Sequence, residues 1–193
     1  MGPRPRPHSL VMMPTPFIVR SGEFPEREAH WLMRARETLI DVHPRRLAEW
    51  ALGRVAWERA MAARGQATLA PQWLGHQQVS GYAGRFSISH TPDWAAAVVD
   101  KAEGLGVDIE VKGRKVSPEI CQRMAHVTDQ IDDPLSLWAI KEAAYKTLPA
   151  EIQSKVWLNS IAILNESFEV AGLSGRWCLY EHPDLVVCVA HRV

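Results

Sequence analysis

The chain has 193 residues, 47% hydrophobic and 23% charged, enough for one large domain or two small lobes around a real core. Lys+Arg and Asp+Glu both number 22, so no global field argues for nucleic acid or an anionic membrane, and any anion site must be local. Cys121, Cys178 and Cys188 lie far apart without CxxC spacing, which argues against a disulfide framework or zinc site and for a reducing cytoplasm.

Residues 1–16, MGPRPRPHSLVMMPTP, carry five prolines and an apolar run too short for a signal-peptide core, and are expected to be a disordered leader. No stretch approaches the ~18–20 apolar residues of a spanning helix. Helical spacing runs from Pro25 to about Ile40, then through HPRRLAEWALGRVAWERAMAARG to a stop at Gly65. Residues 66–84, punctuated by Pro71, Gly75, Gly81 and Gly84, read as loop. The period then changes to short strands, RFSISH, WAAAVVD and GLGVDIE, whose TPD and KAEG breaks fit hairpin turns. Helices over about 117–127 and 134–148 follow, and the chain ends in strand-like SIAIL, FEVA, RWCLYE and LVVCVAHR. Helices and strands in separated blocks predict an α+β fold.

Four stretches carry candidate chemistry. In GVDIE, residues two apart share a strand face, so Asp108 and Glu110 project together, either as a solvated face or as half of a divalent-metal site. In WAIKEAAYK, Glu142 and Lys146 lie one turn apart, opposite a stripe of Leu137, Ile140, Ala144 and Leu148. An exposed ion pair explains them, but Trp138 and Tyr145 on the same side argue that something covers or docks there. Ser89 and His90 point to opposite faces and cannot form a nucleophile–base pair, and no GxSxG elbow exists, so a serine hydrolase is a poor reading. They fit a hairpin end or donors to a phosphate. Arg46, Trp50 and Arg54, at i, i+4 and i+8, make a basic ridge, solvated or anion-binding. Pro92–Asp93 with EVK at 110–112 also matches the loose PD…ExK pattern of Mg²⁺-dependent nucleases, without the basic excess such enzymes carry.

Taken together, FSISHTPDWAAAVV, GVDIE and LWAIKEAAYK resemble the 4′-phosphopantetheinyl transferases, in their surfactin/enterobactin-type branch, over residues 40–148. RRLAEWALGR is similar to that branch's N-terminal helix, whereas 66–84 lacks its GKP-like lysine segment. The resemblance implies two similar α+β lobes forming a pseudo-dimer, here 17–100 and 101–193, the second carrying the metal site. It implies transfer of the phosphopantetheine arm of coenzyme A to a serine of an apo acyl or peptidyl carrier protein, releasing adenosine 3′,5′-bisphosphate. Mg²⁺, with Mn²⁺ as substitute, would be held by Asp108, Glu110 and Glu142. Glu142 would also deprotonate the carrier serine, and Lys146 would serve catalysis and, with Lys141, hold the α/β-phosphates. Arg46, Arg54, Ser89 and His90 would clamp the 3′-phosphate region. A cytoplasmic monomer, acting on neither nucleic acid nor membrane, is the expectation. The alternatives are the nuclease and a coenzyme A-binding module without catalysis.

Overall fold

The computed structural model describes residues 13–39, 41–66, 73–75, 78–79 and 84–193. Its elements are strands and helices in the blocks the α+β class requires. A strand β1 (Phe17–Arg20) leads into α1 (Pro25–Thr38) and α2 (Pro44–Ala63), then β2 (Trp73–Gly75), β3 (Gln78–Val79), β4 (Arg85–His90), β5 (Trp94–Asp100) and β6 (Leu105–Val111). After these come α3 (Pro118–Met124), α4 (Pro134–Lys146), α5 (Ala150–Gln153), a 3₁₀ turn at Leu158–Ser160, β7 (Ala162–Ile163), β8 (Ser167–Val170), β9 (Leu173–Tyr180) and β10 (Leu185–Arg192). Helices α1 to α4 each begin with proline in the first turn, where no backbone N–H is missed. The α4 start is fixed further by Asp133, whose carboxylate accepts from the backbone N–H of Ser136 at 2.9 Å. No helix among the described residues is long and apolar enough to cross a membrane.

Strand order is β1-β5-β4 in one antiparallel sheet and β6-β10-β9-β8-β7 in another, with β2-β3 as a separate hairpin. The alternation of β5 assigns its faces. Ala95, Ala97 and Val99 meet α2, alongside Trp57 and Phe86, while Ala96 and Val98 meet Val107, Ile109, Val187 and Val189 of the second sheet. The far face of that sheet, with Cys188 and Ala190, packs on Ala139, Ile140 and Ala143 of α4. The layers therefore run helix, sheet, sheet, helix, and the strand regions whose two faces are both covered read as continuous apolar runs.

Three sequence expectations change. The KAEG break is no hairpin, because both edges of β5 are already occupied, by β1 and β4, so the chain crosses over and β6 pairs with β10 instead. Strand β1 has only four residues and was not legible as a strand; its pairing with β5 decides it. Of the expected leader, residues 1–12 lie outside the described residues, but 13–16 are held, with the Tyr180 hydroxyl donating to the carbonyls of Met13 and Pro14. Most of the expected 66–84 loop also lies outside the described residues.

Candidate functional site

Strand β6 is the edge of the five-stranded sheet, and an open edge must satisfy its outward N–H and C=O groups. Here side chains do so. Ser87 and Ser89, on the inward face of β4, accept from the backbone N–H groups of Val107 (3.0 Å) and Ile109 (3.3 Å), and Lys146 of α4 donates to the Val107 carbonyl at 2.9 Å. Two strands of different sheets are thus joined through hydroxyls, without a ladder.

The same alternation that sends Val107 and Ile109 into the core between the sheets turns Gly106, Asp108 and Glu110 toward α4. A Cβ on Gly106 would stand 1.9 Å from the Ala143 carbonyl oxygen, so only glycine lets the helix lie directly on the strand. That close approach carries Lys146 to Asp108, Nζ to Oδ1 at 2.7 Å, and Oδ1 also accepts from the Ser89 hydroxyl at 2.8 Å. The second oxygen, Asp108 Oδ2, is buried with no hydrogen-bond partner. Glu110 is ion-paired with Arg114, whose guanidinium carbon lies 5.5 Å from the centroid of the Trp138 ring. Asp108 and Glu110 are only 5% and 8% exposed, which removes the solvated-face reading of GVDIE.

Glu142 is half-buried on the same side of α4. Its carboxyl is held above the usual range, first by burial and then by the charge of Asp108, with Glu110 adding and Lys146 and Arg114 opposing. It belongs electrostatically to the cluster and is not a free surface partner of Lys146. Beside these acids opens a cleft of ≈ 390 Å³ whose walls include Arg45, Arg46, Glu49, Ser89, His90, Asp108, Glu110 and Arg114. His90 Nδ1 lies 3.7 Å from Glu49 Oε2. Burial pushes its imidazole down, Glu49 raises it, and Lys146, Arg46 and Arg54 lower it further. The Arg54 guanidinium lies over Trp50 at 4.2 Å and burial brings it down to about 10, so it stays charged at neutral pH. A larger cleft of ≈ 650 Å³ passes Lys112, Tyr180 and His182 and holds none of the residues expected of the transferase.

Two predicted roles do not survive this geometry. Lys141 has no exposed surface: its three ammonium hydrogens go to Asp129 (2.9 Å) and the carbonyls of Ile161 (2.7 Å) and Leu158 (3.2 Å), leaving none for a phosphate. Ser89 spends its single hydrogen on Asp108, so it positions that carboxylate and does not clamp an anion. The nuclease pattern also disperses, since Asp93 is exposed in the β4–β5 turn and Lys112 donates to the His182 carbonyl at 2.6 Å.

Compared with models of protein families and with curated proteins, the chain matches none. Among the described residues, no three His, Cys, Asp or Glu side chains are grouped as a ready metal site, and Asp108 and Glu110 are each engaged by an internal cation. The donor set itself is hard oxygen, the kind Mg²⁺ takes, and Asp108 Oδ2 is an orphaned acceptor within it. Sequence reasoning passed over Arg45, Glu49, Arg114 and Asp129. Arg45–Glu49 follows the helical i, i+4 spacing, a signal that was available; Glu110–Arg114 forms across the turn that ends β6, and nothing local to Asp129 announces its pairing with Lys141.

Proposed function

We propose that the protein transfers the 4′-phosphopantetheine arm of coenzyme A to a serine of an apo carrier protein. The observation that carries the reading is the buried Asp108–Glu110 pair, joined to Glu142 and Lys146 on one side and opening on the other to a cleft walled by Arg45, Arg46 and His90. Acids and cations meet there as a diphosphate substrate requires. The change of sheet between Asp100 and Leu105 supports reading 17–100 and 101–193 as two α+β lobes of a pseudo-dimer, with the cleft at their junction. Free Cys121, Cys178 and Cys188 suit a protein working in the cytoplasm.

Asp108, Glu110 and Glu142 would hold Mg²⁺, which when bound neutralises charge on the diphosphate oxygens. Glu142, kept more basic than an ordinary carboxylate, accepts the proton of the carrier serine hydroxyl. Lys146 stays beside Asp108 to offset charge developing on phosphate. Arg46 and Arg54 supply cations for the 3′-phosphate, with planar guanidinium forks suited to it, and His90 supplies a ring N–H. Ser89 fixes Asp108, and Gly106 fixes the distance between α4 and β6.

Incubation with labelled coenzyme A, Mg²⁺ and a panel of apo acyl and peptidyl carriers tests the reading. Label must appear on carrier serine with release of adenosine 3′,5′-bisphosphate. A protein that binds coenzyme A and labels no carrier is the non-catalytic module instead.

A further inference from the structure

Asp108 and Glu110 are both neutralised from within the chain, but by cations held very differently. Lys146 is tied down: it reaches the Val107 carbonyl as well as Asp108, and its side chain is 24% exposed. Arg114 has looser moorings. It follows a tight turn through Gly113, whose φ of +85° favours glycine, and its side chain is 43% exposed. Among the described residues its ion pair is with Glu110, and its guanidinium lies over Trp138, so it can leave Glu110 without disturbing a strand or helix. It also lines the cleft that holds Arg45, Arg46 and His90.

We propose that Arg114 is an internal counter-cation that a divalent ion displaces from Glu110, and that the released guanidinium then pairs with the diphosphate of the substrate. The inference rests on the metal-dependent reading above and adds a competition to it. While Arg114 covers Glu110, a metal would have the unpartnered Asp108 Oδ2 and Glu142; once it leaves, Glu110 joins them. Exchange of one positive charge for two keeps the buried acids neutralised throughout. A planar fork released beside a bound metal is well shaped for two phosphate oxygens. Metal and diphosphate then assist each other, because each removes Arg114 from Glu110 or gives it a partner elsewhere.

The test is Mn²⁺ binding to the full-length protein without coenzyme A, followed by the loss of free Mn²⁺ signal in electron paramagnetic resonance. Arg114→Gln should bind Mn²⁺ about tenfold or more tightly than the parent, the scale of a lost charged hydrogen bond. Arg114→Lys, which keeps the charge, should fall between, and Trp138→Leu, which removes the platform for the guanidinium, should also tighten binding. With Mn²⁺ saturating, inorganic pyrophosphate should bind Arg114→Gln more weakly than the parent. Mn²⁺ affinity in Arg114→Gln within about twofold of the parent, or weaker, overturns the inference. So does unchanged pyrophosphate affinity. Carrier labelling with no Mn²⁺ tightening sinks the competition alone, whereas Mn²⁺ tightening with no carrier labelling sinks the transferase reading alone.

Discussion

Replacing Ser87 and Ser89 by alanine, one at a time, separates the seam between the sheets from the chemistry beside it. Ser87→Ala strips the acceptor from the buried N–H of Val107, a 3.0 Å bond. An unsatisfied buried donor costs about 1–3 kcal/mol. Ser89→Ala does the same to Ile109 at 3.3 Å and also removes the 2.8 Å donor to Asp108. A hydrogen bond to a charged group adds about 1.5–3 kcal/mol, a ceiling here because Lys146 still neutralises the carboxylate. The two variants should therefore rank Ser89→Ala below Ser87→Ala below parent, at roughly 2–4 °C of melting temperature per kcal/mol for a chain of this size. Urea unfolding followed by circular dichroism and by the fluorescence of the eight tryptophans measures both, and coincident transitions license the comparison. Transfer to carrier should slow far more in Ser89→Ala, which frees Asp108 to move, than in Ser87→Ala. Both variants within about 0.5 kcal/mol of parent would refute the hydroxyl seam. Equal loss of transfer at equal stability would refute the positioning of Asp108.

Glu142→Gln should reduce single-turnover transfer by at least ~10²-fold while raising the melting temperature at neutral pH. The sign follows from its raised carboxyl: the folded state binds that proton more tightly than the unfolded state, so the ionised form opposes folding above the ordinary carboxylate range. An active, destabilised Glu142→Gln would restore the surface ion pair. His90→Ala and Arg46→Ala should each weaken use of coenzyme A by about 1.5–3 kcal/mol yet spare dephospho-coenzyme A; equal losses with both donors would place these residues elsewhere. Lys141→Met should cost about 3 kcal/mol, the low end for breaking a buried pair, since Asp129 keeps its bonds from the backbone N–H groups of His126 and Ile163. Coenzyme A dependence in the folded Lys141→Met protein should be unchanged, and a raised requirement without loss of stability would return Lys141 to the phosphates.

Where local signals and tertiary structure agreed, the sequence was readable. Helical spacing marked α1, α2 and α4, and alternation within GVDIE put Asp108 and Glu110 on one face. The failures have one cause, pairing between distant segments. Whether β6 joins β5 or β10 depends on which edges remain open, and nothing in KAEG encodes that. Lys141 and Lys146 look equivalent in WAIKEAAYK, yet one meets Asp129 inside the core and the other meets Asp108, and only the distant partners tell them apart. Ser89 was recognised as polar at a strand end, but its direction, inward to β6 and not outward to a ligand, follows from how the sheets stack.

The buried Lys141 has a mechanical meaning that its chemistry hides. Glu142 follows it directly on α4, about a quarter-turn further round the axis. Any roll of α4 about its axis would swing Glu142 past Asp108, the carboxylate that most affects its charge after burial. Three bonds from Lys141, to Asp129, Leu158 and Ile161, anchor the neighbouring flank and oppose that rotation. The lysine acts as a keyway: it sets the angle at which α4 presents its carboxylate to the strand.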